Sequence, residues 1–194
     1  MKRLILSAIA VTALLTVAPL TAVAQAESPA LFQDVAPTTI DANKLVVEMQ
    51  RQPPSEYPHM AHRSPVSFEQ AVNMWARSHF VLTGAGENTL RVTVREADIV
   101  EMLLPVKKGI AGWFRKDQSA EYTANLEISV ALIDANGQQQ GSAEAKTMHS
   151  TTMPEGTTDT EKQALFLEMI KKAFANLDRE LQPRIQQTIV RGRG

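Results

Sequence analysis

The spacing of hydrophobic residues along the chain first predicts β-structure. Over 89–105, apolar and polar residues alternate with one break in phase, which is typical of a strand with a bulge. Over 122–134 the alternation has no break, and Asn136 and Gly137 then form the strongest short-range signal of a β-hairpin. We therefore expect 122–134 to pair with a more polar strand over 138–151.

Two other segments carry apolar residues at spacings of three and four, which places them on one face of a helix. Both open with a predicted capping box, formed by Ser67 with Gln70 and by Thr158 with Glu161. The apolar face of the first helix is expected to consist of Phe68, Val72, Trp75, His79 and Leu82. The second stripe continues past Pro183, which we expect to kink or divide that helix.

A short β-branched run over 44–50 precedes the first helix and completes the order β-α-β-β-β-α. The pattern predicts the α+β class: a two-layer sandwich of an antiparallel sheet with two helices on one face. We expect a loose N-terminal arm over 27–43, one domain over 44–190 and a basic tail over 191–194.

The N-terminus predicts export. Lys2 and Arg3 precede an almost wholly apolar run over 4–20, and overlapping Ala-x-Ala sites end at Ala24 and Ala26. This order is typical of a secretory signal peptide, and a membrane anchor is the alternative. We expect cleavage of residues 1–26 and a periplasmic mature protein without a transmembrane segment.

Charge and cysteine content exclude several functional classes. Without Lys2 and Arg3, 18 basic residues stand against 21 acidic ones, a net charge of −3, whereas nucleic-acid binders are usually basic. This argues against the double-stranded-RNA-binding fold, which shares the order α-β-β-β-α. The absence of cysteine excludes disulfides, thiol catalysis and a lipidated cysteine anchor.

No catalytic signature is visible. The chain has neither G-x-S-x-G nor S-x-x-K, and the glycines of "TGAGEN" precede a strand rather than a helix. Asp98 and Glu101 could act as a carboxylate pair, but on a strand we expect them on a solvated face. The sequence thus predicts no enzyme and no cofactor.

Methionine and histidine residues suggest a possible metal site. These side chains are the soft ligands available to an exported copper protein that lacks thiols. The candidates are His59, Met60, His62, Met148, His149 and Met153. Because no four-ligand pattern with a fixed scaffold is visible, copper binding is the alternative function and not the first.

The stretch "KKGIAGWFRKDQ" between the two strands carries large apolar side chains among cations. Its candidate contact residues are Lys107, Lys108, Trp113, Phe114, Arg115 and Lys116. One interpretation is a contact site for an anionic lipid surface or a partner groove. In the other, the two aromatic rings fold back as a lid over the core, and the cations point outward.

Two longer stretches, "LPVKKGIAGWFRKDQSAEYTANLEISVALIDANGQ" and "TMPEGTTDTEKQALFLEMIKKAFANLDRELQPRI", lie within a region of similarity over about 65–190. This region resembles a group of uncharacterised exported proteins of Gram-negative bacteria, some of them lipoproteins. The topology is more distantly similar to the auxiliary lipoprotein component of lipid-transporting ABC systems. The resemblance implies an accessory role in the cell envelope, by binding a protein partner or a lipid surface.

Overall fold

The computed structural model describes residues 31–32, 36–105 and 118–191, and within these it places two α-helices and six strands. In chain order the elements are β1 (Thr38–Ile40), β2 (Lys44–Met49), α1 (Phe68–His79), β3 (Phe80–Leu82), β4 (Thr89–Leu103), β5 (Gln118–Ile133), β6 (Gln139–Pro154) and α2 (Asp159–Ile185). A 3-10 turn, Ala61–Arg63, precedes α1, and a π-helical turn, Gln186–Val190, follows α2.

The main sheet has four strands in the order β2-β4-β5-β6. The expected antiparallel pairing holds for β4 with β5 and for β5 with β6, but β2 runs parallel to β4. The sheet is therefore mixed, and the prediction of a purely antiparallel sheet is wrong. The reason is that α1 lies between β2 and β4 in the chain, and a long helical crossover allows two strands to run in the same direction.

A second, two-stranded parallel sheet joins β1 to β3, so the element order differs from the predicted one. The first helix was expected to include Leu82, but it ends at His79, and Phe80–Leu82 is extended. Phe80 is buried and aligned with Thr38, and the backbone N–H of Thr83 donates to the carbonyl of Ile40. Pairing with a distant strand thus overrides the helical spacing of this segment.

The expected bulge lies in β4, between Val94 and Glu96. Before it, Val94 is fully buried; after it, the buried positions shift by one to Ala97 and Ile99. Arg95 and Glu96 thus both lie on the other side of the sheet, opposite the buried residues. The bulge reverses which alternating residues face the core and places two adjacent charges on one surface.

The hairpin prediction is confirmed. β5 and β6 pair antiparallel over their whole length, and Asp134 is joined to Gly137 and Gln138 by backbone hydrogen bonds of 3.0 and 2.9 Å. Gly137 has a φ of 78°, a conformation that glycine adopts without steric cost. The inward residues of β5 are all buried: Tyr122, Ala124, Leu126, Ile128, Val130 and Leu132.

Both helices pack on the apolar face of the sheet and contact each other. The ring of Tyr122 in β5 lies 5.2 Å from that of Phe166 in α2, and Trp75 of α1 lies 5.8 Å from Phe174. The Trp75 indole also donates to Asp178 Oδ1 at 2.8 Å, while His79 Nε2 lies 2.9 Å from the same oxygen without hydrogen-bond alignment. Both predicted capping boxes are present.

We expected Pro183 to kink or divide the C-terminal helix, and the division is wrong, because the helix continues through this residue. It continues to Ile185 and passes into the π-helical turn, and Ile189 in that turn is buried as the stripe predicted. This turn lies against β6 so closely that a Cβ added at Gly141 would clash with the backbone carbonyl of Thr188. The small residue therefore allows the C-terminus to cover the beginning of β6.

Candidate functional site

The side of the four-stranded sheet turned away from the helices carries the most prominent cluster of charges. We call it the open face. It is formed by alternate residues of β4, β5 and β6, which point opposite to the core. Its charged members around the bulge are Arg95, Glu96, Glu127, Glu144 and Lys146.

These charges form one network across three strands. Arg95 contacts Glu144 at 2.9 Å and Glu127 at 3.7 Å. Lys146 contacts Glu96 at 2.6 Å and Glu127 at 3.3 Å, and its hydrogen bond to Glu96 is the main cause of its raised pKa. Because exposed ion pairs contribute little to stability, this network defines a charged surface more than it stabilises the fold.

A pocket of about 350 Å³ opens beside this network. Its floor is the bulge of β4, and its wall is the proline-rich segment that follows β2. That segment is held to β4 by backbone hydrogen bonds from Met60 to Ile99 at 2.7 Å and from Glu101 to Pro58 at 2.9 Å. The lining residues are Arg51, Gln52, Pro53, Pro54, His59, Arg95, Glu96, Ala97, Asp98 and Glu127.

A histidine–carboxylate pair lines this pocket. His59 Nδ1 contacts Asp98 Oδ2, and the other carboxylate oxygen accepts from the backbone N–H of Ile99 at 2.8 Å. Asp98 is only 7% exposed, so the expectation that it is solvated is wrong: the proline-rich segment covers it. Because both oxygens of the buried Asp98 carboxylate are engaged, the carboxylate fixes the orientation of the His59 imidazole.

Asp98 and Glu101 do not form a carboxylate pair. Asp98 lies on the open face, whereas Glu101 lies across from Tyr122 on the core side and accepts a hydrogen bond from its hydroxyl. Burial first, and this bond second, raise the pKa of Tyr122. The two carboxylates therefore serve separate contacts on opposite sides of β4.

The pocket has a histidine–carboxylate pair but no hydroxyl, thiol or amine that the pair could activate. A His–Asp pair activates a neighbouring hydroxyl or thiol in hydrolases. None of the residues that line this pocket is serine, threonine, cysteine or lysine. The geometry instead suits anchoring: His59 bonds to Asp98 and ties the proline-rich segment to the sheet.

The six candidate metal ligands lie in separate environments. His59 is engaged by Asp98, Met60 is buried, and His62 lines another pocket beside the start of α2. Met148 and His149 point to opposite sides of β6, as neighbours in a strand do. Met153 is buried near the end of β6. In the described ranges, no group of three or more histidine or acidic side chains could hold a metal ion.

The predicted contact residues 107–116 lie outside the described residues, and only the flanking end of β4 can be examined. There Met102 is 55% exposed and Leu103 is 65% exposed, on opposite sides of the strand. Tyr57, on the proline-rich segment, is 64% exposed. Large apolar side chains are therefore exposed near the start of the segment that carries Trp113 and Phe114.

Sequence reasoning missed the charged network of the open face. Its five members are ordinary polar positions of amphipathic strands, and nothing in their spacing distinguishes them. The one available signal was the break of phase in β4, because a bulge often re-aims side chains at functional surfaces. The covering of Asp98 by His59, 39 residues away in the chain, left no local sign.

Comparison with known proteins gives distant likenesses only. No family model matches the chain, and no curated protein does. A minor lipoprotein from Acinetobacter baumannii is 17% identical, with 77% of this chain and 96% of that chain covered and a TM-score of 0.39. The rare lipoprotein B from Shewanella oneidensis is 14% identical, with 75% and 96% covered and a TM-score of 0.38.

A Xanthomonas campestris protein of the DUF330 family is 13% identical, with 79% of this chain and 91% of that chain covered and a TM-score of 0.33. The first two proteins are lipoproteins by name, the class that the sequence resemblance indicated. TM-scores this low do not support a conclusion about function. In the part of the chain that the structure describes, no helix has the length and apolar character needed to cross a membrane.

Proposed function

We propose that this protein is an exported, non-enzymatic accessory protein of the cell envelope that works by contacting a protein partner or an anionic lipid surface. The observation that carries the proposal is the asymmetry of the sheet. One side is covered by two helices. On the other side, within the described ranges, the proline-rich segment covers Asp98, while charged residues and two methionines remain exposed. Binding is the function that such a surface supports best, since its charges and exposed methionines are accessible to a partner.

The contact site of this proposal includes the segment with Trp113 and Phe114 and its flanking cations. The exposed Met102 and Leu103 at the end of β4 support it, because they would extend the apolar part of such a contact. Each cation near an anionic surface adds about 1 kcal/mol, and this attraction weakens as salt is raised.

The double change Trp113→Ala with Phe114→Ala tests the contact site. We expect the variant to lose pelleting with anionic vesicles or co-purification with an envelope partner, while its melting temperature stays unchanged. The matched control changes two exposed apolar residues away from this segment, Val81→Ala with Val190→Ala. A strong loss of thermal stability with intact binding would identify the aromatic pair as a lid and reject the contact site.

Comparing the two binding assays separates the two partner classes. Vesicle binding that falls with salt indicates a lipid surface, and co-purification without vesicle binding indicates a protein. The mature N-terminus is expected at Gln25 or Glu27 and is measured by intact mass. A full-length chain in the envelope fraction would contradict export with cleavage.

A copper carrier is the alternative. Copper titration of the purified mature chain tests it directly, with a double change of His59 and His62 to alanine as the variant. Stoichiometric binding that this variant abolishes would replace the first proposal.

A further inference from the structure

Among the residues that the structure describes, contacts cover the outer edge of β6 along only part of its length. At its beginning, the hydroxyl of Thr188 donates to the carbonyl of Ser142 at 2.7 Å, and Arg184 donates to the carbonyl of Glu144. At the end of β6, the register of its pairing with β5 shifts near Met153, next to Pro154. Between these two features lies a regular segment, 146–152, which we call the free edge.

The backbone of the free edge points its hydrogen-bonding groups away from the sheet at every second residue. The carbonyls of Ser142 and Glu144 point outward, and no irregularity lies between Gly141 and Met153, so all even-numbered residues there share this orientation. The outward groups therefore belong to Lys146, Met148, Ser150 and Thr152. Within the described ranges, no backbone or side-chain hydrogen bond to these groups is recorded. An uncovered edge of this length is a template for pairing with another strand.

We propose that the free edge binds the free edge of a second copy of this chain, antiparallel, about a two-fold axis at His149. In this register Met148 pairs with Ser150 of the second copy, and Lys146 pairs with Thr152. All even-numbered outward groups are then satisfied, by about eight hydrogen bonds. The two sheets become one, and their open faces join on the same side.

Charges beside His149 favour a second copy over an unrelated strand. The pKa of His149 is lowered by burial first and by Lys172 second, while Glu168 acts in the opposite direction, so both α2 residues lie near the proposed axis. They are exposed and 3.9 Å apart on successive turns. A two-fold axis reverses the direction of the helix, which places Glu168 of one copy opposite Lys172 of the other. No like charges meet across the strands, because Lys146 faces a threonine.

The side chains of the free edge fit the same register. Met148 is 66% exposed, the highest exposed fraction among the large apolar side chains of the described ranges. In the proposed pairing the two Met148 side chains become diagonal neighbours on one face, within reach of each other. Each would thereby lose contact with water.

The first test measures the mass of the purified mature protein in solution for three forms of the chain. The unchanged chain is expected at twice the monomer mass. Ser150→Pro removes one outward N–H and leaves the backbone hydrogen bonds to β5 in place, since proline is tolerated at such edge positions. It also removes the hydroxyl contact with Thr123 of β5, a loss that the alanine control shares. The proline variant is expected at the monomer mass, with the melting temperature of the alanine control. The matched control, Ser150→Ala, keeps the N–H and should stay dimeric. A monomeric unchanged chain, or a dimer that survives Ser150→Pro, overturns the proposal.

A second test fixes the register and does not depend on how proline is tolerated. The chain has no cysteine, so a single introduced thiol can cross-link only to its copy. In the proposed dimer the two residues at 149 are directly opposed, with Cα atoms about 4.5 Å apart, which suits a disulfide. His149→Cys should oxidise to a covalent dimer, whereas Glu144→Cys, on the covered part of the strand, should not. Equal cross-linking of the two variants, or none in either, overturns the proposal.

A charge exchange tests the choice of a second copy. Lys172→Glu should weaken the dimer, because carboxylates then meet across the axis, and adding Glu168→Lys should restore it. Failure of the second change to restore the dimer contradicts the axis at His149. If the unchanged chain is monomeric but retains an envelope protein that Ser150→Pro releases, the edge belongs to a different partner, and the self-association proposal is wrong.

Discussion

The two faces of the main sheet are made from the same strands, yet they differ in nearly every physical respect. On the core side, the inward residues of β5 are all buried under the helices. On the open face, β4, β5 and β6 present a network of exposed charges, and beside it Asp98 is covered by a single segment. The comparison teaches that alternate residues of one strand serve different roles. The inward residues stabilise the fold, and their outward neighbours remain available for binding.

Substitutions on the core side should lower the free energy of unfolding most strongly. Leu126 is fully buried, so Leu126→Ala removes apolar contacts and leaves a cavity that costs about 2–5 kcal/mol in the free energy of unfolding. The matched change on the open side of the same strand is Ser129→Ala, which should stay within about 0.5 kcal/mol. Chemical denaturation of both variants measures the difference. Equal effects would show that the two faces are not distinct in stability.

The second largest loss of stability is expected from removing the polar contact between the two helices. Asp178→Ala leaves the buried Trp75 indole N–H without its acceptor and removes the carboxylate beside His79. An unpaired buried donor costs about 1–3 kcal/mol. Glu180→Ala, which removes an exposed contact with Arg184 on the same helix, is the control and should have little effect. If denaturation gives the two variants the same stability, Asp178 does not clamp the helices.

On the open face, even a highly connected charge should matter little for folding. Lys146 contacts two carboxylates, but it is exposed, and we expect Lys146→Ala to change the free energy of unfolding far less than Leu126→Ala does. The effect should diminish further in high salt because the charges are screened. Denaturation at low and high salt checks this. A loss comparable to that of Leu126→Ala would show that the network belongs to the folding core.

The smallest expected effect lies at His149, beside α2. Its pKa is lowered from 6.5 in the folded chain by burial first and by Lys172 second. The unfolded chain therefore binds the proton more readily, and stability falls as the pH drops through and below about 6.5. His149→Gln should lessen that fall, and Lys172→Ala should raise the His149 pKa in an NMR titration. A His149 pKa above 6.5 would reverse the sign and contradict the environment described.

Local signals in the sequence predicted much of this fold because their causes are local. The capping boxes at Ser67 and Thr158 need only residues three positions apart. The Asn136-Gly137 turn and the inward residues of β5 follow from backbone conformation and alternation. The parallel β2, the β1–β3 pair and the burial of Asp98 were not predictable, because each depends on a partner tens of residues away.

For the candidate site, the contribution of the sequence is more clearly distinct from that of the tertiary structure. The sequence by itself determined the alternation that separates core residues from surface residues, the break of phase in β4 and the absence of thiol chemistry. Only the tertiary structure decided which charges meet on the open face, that His59 covers Asp98, and that the C-terminal turn covers the beginning of β6. The physical reason is that strand periodicity is a property of neighbouring residues, whereas coverage depends on which distant segments the packed core brings to each edge and face.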